Sequence, residues 1–254
     1  MFYDVTNPSL RKLHRQYIRQ SLDAFKGQPN VIHSIGEEFT GPLHFVEFWL
    51  DVIAEWEQEN GPVLVALAVN KDVQDAILKD PKRSKVVDII DIEQWFYHNK
   101  GEYAPPGGVN MAQRQYMRKI RTGGARFEDV YRAVSEYRTD YPDKAVVYSA
   151  QKHPEMCWAS FMAGGSCAAI PVTDATFLSA VSSMKSGKID DAFTLEGSEG
   201  MVVYHEQAKT VSIPLIGTYQ LYQIDAKTGD MKLLRKVKGQ TTIDGKGIYW
   251  FRKK

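Results

Sequence analysis

Helix-patterned and strand-patterned segments alternate through the first 186 residues of this 254-residue chain. The clearest strand signal is PVLVALAV at 62–69, a uniformly apolar run of the kind that is buried on both faces of a parallel sheet. Helical patterns separate the apolar runs. The first begins at Pro8, repeats its apolar residues every three to four positions and ends at Gly27. This alternation predicts parallel βαβ units.

The same patterns give approximate bounds for each element. Strands are predicted at 31–35, 62–69, 85–95, 144–150 and 167–172. Helices are predicted at 8–27, 43–61, 73–78, 127–141 and 156–162. After Lys188, short strand-like segments are joined by turn sequences such as Lys-Thr-Gly-Asp, which predicts a small antiparallel β domain. We therefore predict two domains, residues 1–186 and 187–254.

Composition and motifs argue against several kinds of partner. Lys plus Arg number 32 and Asp plus Glu number 31, so the overall charge does not predict binding to nucleic acid or to an anionic membrane. No apolar run is long enough to span a bilayer, and the N-terminus lacks the basic-then-apolar order of a secretory signal. No glycine-rich turn follows a predicted strand, and no two histidines have helical ligand spacing. We therefore predict neither a nucleotide cofactor nor a metal.

Two adjacent carboxylates follow the predicted strand at 31–35. In VIHSIGEEFTGP, Glu37 and Glu38 stand between the apolar run and a Thr-Gly-Pro stop. Barrel enzymes carry their chemistry at the carboxyl ends of the strands, where a partly dry carboxyl group has a raised pKa and can protonate a departing sugar oxygen. This predicts Glu38 as the acid/base and Glu37 as a residue that orients the substrate. The alternative is that either side chain caps the following helix.

A carboxyl group that protonates a glycosidic oxygen works with a second carboxyl group, about 5 Å away for retention or about 6.5 to 9.5 Å away for inversion. The predicted strand at 144–150 ends in Ser149 and Ala150, and Gln151 follows it. None of these three residues is acidic. The candidates are therefore Asp91 or Glu93, at the end of the preceding strand, and Glu155, in the loop that follows, with Asp91 and Glu155 ranked about equal. Either one can instead be structural.

Several other side chains near the predicted strand ends are candidates for substrate binding. Histidine, glutamate and glutamine bond sugar hydroxyls, and aromatic rings pack against the faces of sugar rings. The alternative in each case is an ordinary structural role. These candidates are His33, Glu93, Trp95, Tyr97, His98 and Gln151.

Three stretches, taken in order, resemble bacterial (Bacteroidetes-type) glycoside hydrolases with an apiosidase-like (β/α)8 barrel and a C-terminal β-sandwich. They are NVIHSIGEEFTGP followed by a Trp-rich helix, then WASFMAGGSCAAIP, then YQLYQIDAKTGDM. Such enzymes commonly end the fourth barrel strand in Gly-Asn-Glu, and the last carboxylate is the acid/base. Gly36, Glu37 and Glu38 stand at that position here. The resemblance is to the later half of such proteins, and it implies a partial TIM-type (β/α) barrel, about strands 4 to 8, followed by a small antiparallel β domain.

The resemblance implies a glycoside hydrolase that acts on plant or host glycans, and it favours a periplasmic or secreted location. The alternative is a non-catalytic carbohydrate-binding or assembly module derived from such a barrel, because a clean pair of carboxylates is not visible in the sequence. A partial barrel leaves two strand edges unpaired, which proteins normally cover. We therefore expect the sheet to be completed either by an N-terminal half of the barrel or by a second copy of the chain.

Overall fold

The computed structural model describes residues 2–39, 41–97, 103–104, 126–149, 156–207 and 209–254. The chain divides into two compact units, Met1–Pro154 and Glu155–Lys254. The helices near 160 and 178 belong to the second unit by their contacts, whereas the sequence-based boundary after residue 186 stays a prediction. No helix among these described ranges has both the length and the apolar character needed to cross a bilayer.

The first unit contains a four-stranded parallel sheet with the strand order β1-β2-β3-β6. Its elements are α1 (Pro8–Ala24), β1 (Ile32–Phe39), α2 (Leu43–Asn60), β2 (Leu64–Val69), α3 (Lys71–Lys79), a 3₁₀ turn (Ser84–Val86), β3 (Ile89–Asp91), β4 (Phe96–Tyr97), β5 (Tyr103–Ala104), α4 (Phe127–Asp140) and β6 (Ala145–Val147). Strands β4 and β5 form a separate antiparallel pair. The predicted α/β class with a parallel sheet is confirmed.

Helix α1 begins where its sequence predicts. The Asn7 side chain accepts hydrogen bonds from the first backbone N–H groups, and Pro8 occupies the first turn, where no N–H is needed. The buried Trp56 of α2 donates from its indole N–H to Asp23 of α1 at 2.8 Å. An exposed ion pair between Arg19 and Glu59 also connects the two helices.

One row of side chains is buried across all four strands of the sheet. Ile35, Leu67, Ile90 and Val146 lie in one row across the four strands, and none is more than 7% exposed. Since consecutive side chains of a strand alternate between faces, the row that contains Asp91 and its partner Val147 belongs to the other face. We call these the core face and the Asp91 face.

Strand β1 carries a bulge near its carboxyl end. Ile35 pairs with Leu67 and Phe39 pairs with Val69, so four steps along β1 match two steps along β2. Two extra residues are therefore accommodated between Ile35 and Phe39. Such bulges bend a strand and re-aim its side chains. The bulge lies at the Gly-Glu-Glu stretch that the sequence singles out.

The second unit is mainly antiparallel. Its elements are α5 (Cys157–Met162), α6 (Ala175–Val181), β7 (Lys185–Ile189), β8 (Ala192–Gly197), β9 (Gly200–His205), β10 (Thr210–Ile213), β11 (Thr218–Ile224), β12 (Met231–Lys238), β13 (Thr241–Asp244) and β14 (Gly247–Lys253). Six strands form one sheet in the order β12-β11-β14-β9-β8-β7, and β10 pairs with β13. The predicted antiparallel β domain is confirmed.

The second unit has a sandwich-like core. Phe251 and Val203 of the large sheet pack with Ile213 and Ile243 of the β10–β13 pair in one buried cluster. Trp250, whose neighbour in sequence is Phe251, meets Phe177 of α6 edge-on with ring centroids 5.3 Å apart. Strand β14 is therefore buried on both faces, in agreement with its run of large apolar residues.

The strand predicted at 167–172 is wrong. The structure has no strand there. Cys167 adopts a positive φ of 55°, which interrupts an extended chain, and Pro171 has no N–H to donate to a sheet. The Pro171 carbonyl instead lies close to Gly229 in the β11–β12 turn. Among the described residues, the parallel sheet therefore has four strands rather than five.

Candidate active site

The four parallel strands end at a common edge of the sheet. We call this the carboxyl edge and define it by Gly36–Phe39 of β1, Asn70 after β2, Asp91–Glu93 at the end of β3, and Val147–Ser149 at the end of β6. In parallel α/β sheets, ligands bind outside the carboxyl ends of the strands. Predicted site residues of β1 and β3 therefore reach the same edge.

Asp91 is the best-defined carboxylate at this edge. It is half-buried, and both the hydroxyl and the backbone N–H of Ser149 donate to it. Burial raises the pKa of the Asp91 carboxyl above its ordinary value, and the two Ser149 hydrogen bonds oppose part of that rise. A carboxyl group of this kind holds a proton to a higher pH than an exposed aspartate does.

The raised pKa gives Asp91 a predictable effect on stability. The folded protein holds the Asp91 proton more tightly than the unfolded chain, so stability falls as pH rises from the unfolded pKa, about 3.9, towards the folded pKa. In Asp91→Asn this loss is absent. We therefore expect the Tm difference, variant minus parent, to become more positive from about pH 3 to about pH 7.

Asp225→Asn is the matched control, because backbone N–H groups of the β11–β12 turn lower the pKa of Asp225. For that variant, the same Tm difference should become more negative over the same pH range. Thermal unfolding followed by circular dichroism measures both differences. A Tm difference for Asp91→Asn that does not change with pH contradicts the assignment.

Two further polar residues lie at the carboxyl edge. Glu93 follows Asp91 by two positions, just beyond the end of β3, and it is half-buried. Asn70 follows β2, which separates β1 from β3, and it is fully buried. Asn70 was not predicted from the sequence. An asparagine directly after a uniformly apolar strand does indicate a strand end followed by the start of a helix.

Glu37 and Glu38 lie within β1, in the bulge. The structure describes their backbone, and their side chains lie outside what it describes. Beside this bulge is a cavity of about 220 Å³, mainly apolar, whose walls include Ile35 and Phe39 of β1 and Phe45 and Trp49 of α2.

Trp95 and Tyr97 pack in the interior of the first unit. Trp95 is completely buried, and its indole N–H donates to Gln74 at 2.8 Å. Tyr97 is 4% exposed, donates its hydroxyl proton to Glu136, and has the Arg132 guanidinium over its ring. Because the rings are covered in this way, neither is open for stacking against a sugar, and we do not place them in the site.

His33 does not lie at the carboxyl edge. His33 is three residues before Gly36, roughly 10 Å back along the strand, and its ring lies near that of Phe25. Burial lowers the pKa of His33. His98, Gln151 and Glu155 lie outside the described residues. Within the described ranges, no group of three His, Cys, Asp or Glu side chains is placed to hold a metal ion.

Residues 1–184 match the model of a family described as Domain of unknown function (DUF6298). The chain belongs to the DUF6298 family. The match contains the whole parallel sheet and every residue of the carboxyl edge. No curated protein matches the sequence.

Solved structures similar to this DUF6298 chain include two Anoxybacillus proteins. An α-amylase, described as offering insights into a new glycosyl hydrolase subclass, is 10% identical, and the match covers 98% of this chain and 64% of that one with a TM-score of 0.41. A pullulanase from Anoxybacillus sp. LM18-11 is 12% identical, and 83% of this chain matches 46% of it with a TM-score of 0.32. For the same pullulanase in complex with maltotriose, which is also 12% identical, the match covers 83% of this chain and 45% of that one with a TM-score of 0.33. The chain thus spans less than two thirds of the length of each of these proteins. With TM-scores below 0.5, the similarity supports no statement about the fold or the activity of this chain.

Within the DUF6298 region, the backbone of the β1 bulge and Asp91 lie at the same edge of the sheet, on two strands that are not adjacent. Strand β2 lies between β1 and β3, so the backbone of the bulge and that of Asp91 are separated by two strand spacings, roughly 10 Å.

Proposed function

We propose that the chain is a glycoside hydrolase module whose active site lies at the carboxyl edge. The observation that carries the proposal is Asp91, a half-buried carboxyl group with a raised pKa at the end of β3, on the same edge as the Glu37–Glu38 bulge of β1. Glycoside cleavage by an acid and a base requires two carboxyl groups at one site, and the base is most effective when its pKa is raised towards the working pH while the group is still ionised there. The resemblance of the GEEF stretch to the acid/base strand of barrel glycosidases supports the same assignment.

In the proposed reaction, Glu38 donates a proton to the glycosidic oxygen as the bond between that oxygen and the anomeric carbon breaks. Asp91 takes a proton from a water molecule whose oxygen attacks the anomeric carbon from the opposite face. This inverting course needs carboxyl groups about 6.5 to 9.5 Å apart, and backbones separated by roughly 10 Å permit that distance. Glu155 remains the alternative second carboxylate, and Glu37 and Glu93 are proposed to bind substrate hydroxyls.

The partial TIM-type barrel is part of this proposal. Strands β1, β2, β3 and β6 are parallel, and their order in the sheet follows their order in the chain, as in a stretch of barrel. The apiosidase-like form of that barrel, plant or host glycans as substrates, and a location outside the cytoplasm rest on the sequence resemblance. Completion of the sheet by an N-terminal barrel half or by a second copy is proposed on the same ground.

The proposal is tested by hydrolysis of a glycan panel: arabinan, xylan, galactan and mucin O-glycans. The full chain is compared with Glu38→Gln and Asp91→Asn, and with Glu59→Gln as the control, because Glu59 forms only an exposed ion pair with Arg19. We expect release of reducing sugar by the parent and the control, and a loss of about 100-fold or more in each of the other two variants. Equal release by the parent and Glu38→Gln contradicts the assignment of the acid.

One observation favours a second candidate, a non-catalytic glycan-binding module. The end of β6, Val147–Ser149, offers no carboxylate, and Ser149 already bonds Asp91. For such a module, we expect glycan binding by isothermal titration calorimetry without any release of sugar. That result would exclude hydrolase activity and would support a carbohydrate-binding site.

A further inference from the structure

The second unit contains an open cleft that the proposed function does not use. Its volume is about 610 Å³, and it is lined by the β11–β12 turn, the start of β14 and Tyr204 of β9. Most of the side chains that line it are exposed, so a ligand reaches it directly from solvent. Its volume is within the range of small-molecule sites in proteins.

One wall of the cleft is a turn of fixed shape. The Asp225 carboxylate accepts hydrogen bonds from the backbone N–H groups of Lys227 and Thr228 at 2.8 and 2.9 Å. The indole N–H of Trp158 donates to the carbonyl of Ala226, in the same turn, at 2.9 Å. Because these bonds already order the turn, a ligand that binds here loses little affinity to ordering of the protein.

Two lysines on the walls of the cleft leave positive charge without a partner. Lys232 belongs to β12 and Lys246 immediately precedes β14, so strand β11 lies between them. In the part of the chain that the structure describes, neither ammonium group forms an ion pair or a hydrogen bond. Residues 225–254 contain nine lysines and arginines against three aspartates, so the local charge is positive although that of the whole chain is close to neutral. This arrangement favours an anionic ligand.

The cleft also offers hydrogen-bond acceptors, which suit a sugar better than a phosphate polymer. Asp225 and Asp230 line it, and the hydrogen bonds of the turn reach Oδ1 of Asp225 and Oδ2 of Asp230. Each carboxylate therefore keeps acceptor positions for a ligand. Sugar hydroxyls donate to carboxylates, and a sugar ring packs against apolar side chains such as that of Ile248, which also lines the cleft. The phosphates of nucleic acid have no proton to donate and are repelled by the two aspartates.

We propose that this cleft binds an acidic sugar, whose carboxylate or sulfate pairs with Lys232 and Lys246 and whose hydroxyls bond Asp225 and Asp230. The residues that form it all belong to the second unit, whereas the carboxyl edge belongs to the first. The inference is therefore independent of the proposed function. Such a site attaches the chain to an acidic polysaccharide.

Lys232→Gln and Lys246→Gln test the role of the two ammonium groups, because glutamine is polar but uncharged. Lys185→Gln is the matched control: Lys185 is an exposed lysine of β7, at the opposite edge of the same sheet from β12. Isothermal titration calorimetry measures the binding of oligogalacturonate, chondroitin sulfate oligosaccharides and neutral galacto-oligosaccharides to the full chain.

We expect the parent to bind at least one of the two acidic probes and to bind the neutral probe at least about tenfold more weakly. Each cleft variant should weaken binding of the acidic probe about tenfold, while Lys185→Gln should change it by less than about twofold. The acidic probe that binds more tightly shows whether the cleft takes a carboxylate or a sulfate. Raising the salt concentration from about 50 mM to about 500 mM should weaken the same binding, because salt screens exposed charges.

Three results would overturn the inference. The first is a parent that binds neither acidic probe. The second is a loss in Lys185→Gln as large as that in the cleft variants, because it would reflect total charge rather than the cleft. The third is equally tight binding of a single-stranded DNA oligonucleotide of the same net charge, because it would mean a surface that does not select sugars. The hydrolysis assay of Glu38→Gln and Asp91→Asn tests the first unit separately.

Discussion

Gly36→Ala should lower the free energy of unfolding by about 4 kcal/mol, from a positive-φ penalty of roughly 1–2 kcal/mol and an overpacking penalty of roughly 1–3 kcal/mol. Gly36 has a φ of 102°, which side chains rarely adopt. An added Cβ would lie 2.6 Å from Val69 Cγ1 and 2.7 Å from the carbonyl oxygen of Ala68. Neither neighbour yields easily, because Val69 is fully buried and the carbonyl belongs to the backbone of β2.

Gly27→Ala separates the two causes. Gly27 also has a positive φ, 79°, but nothing lies within 4 Å of an added Cβ. This control should cost only about 1 kcal/mol. Urea unfolding followed by tryptophan fluorescence measures both changes. If the two variants lose the same stability, the close contact between β1 and β2 at the bulge is not as described.

Lys71→Met should lower the free energy of unfolding by about 3 kcal/mol, at the low end of the range for breaking a buried ion pair. The ammonium group is buried and bonds Asp75 at 2.9 Å and Glu136 at 2.6 Å. It also lies 4.9 Å from the ring centroids of Trp95 and Tyr137. Methionine retains most of the apolar stem and leaves both carboxylates without their cation. Because those carboxylates are 29% and 30% exposed, water offsets part of the loss.

The control is Lys82→Met, since Lys82 is 69% exposed in its pair with Asp51 and should contribute less than about 1 kcal/mol. A double-mutant cycle of Lys71→Met with Glu136→Gln should give a coupling energy of about 1 kcal/mol or more. Additive effects of the two changes would mean that Lys71 and Glu136 do not interact across α3 and α4.

The regular part of the fold could be predicted from the sequence because its signals are local and strong. The apolar run at 62–69 specifies a strand buried on both faces, and Asn7-Pro8 specifies the start of α1. The segment at 167–172 lacked such a signal. Its small residues resemble a buried strand in composition, but the turn at Cys167 and the contact of Pro171 with Gly229 depend on tertiary structure.

The site was less predictable, because its features depend on how neighbouring strands pair. The GEEF stretch indicated a strand end, but the number of residues in the bulge follows from the register with β2. Trp95 is close in sequence to a strand end, yet the indole turns to Gln74 on α3 and is buried.

The number of extra residues in the β1 bulge limits how this strand can change in length. Side chains of a strand alternate with a period of two, so an insertion of two residues leaves Phe39 on the same side as Ile35, facing Phe45 of α2. Deleting one residue from the bulge would reverse that parity and turn Phe39 away from the core. Related chains should therefore differ here by even numbers of residues, whatever amino acids occupy the bulge.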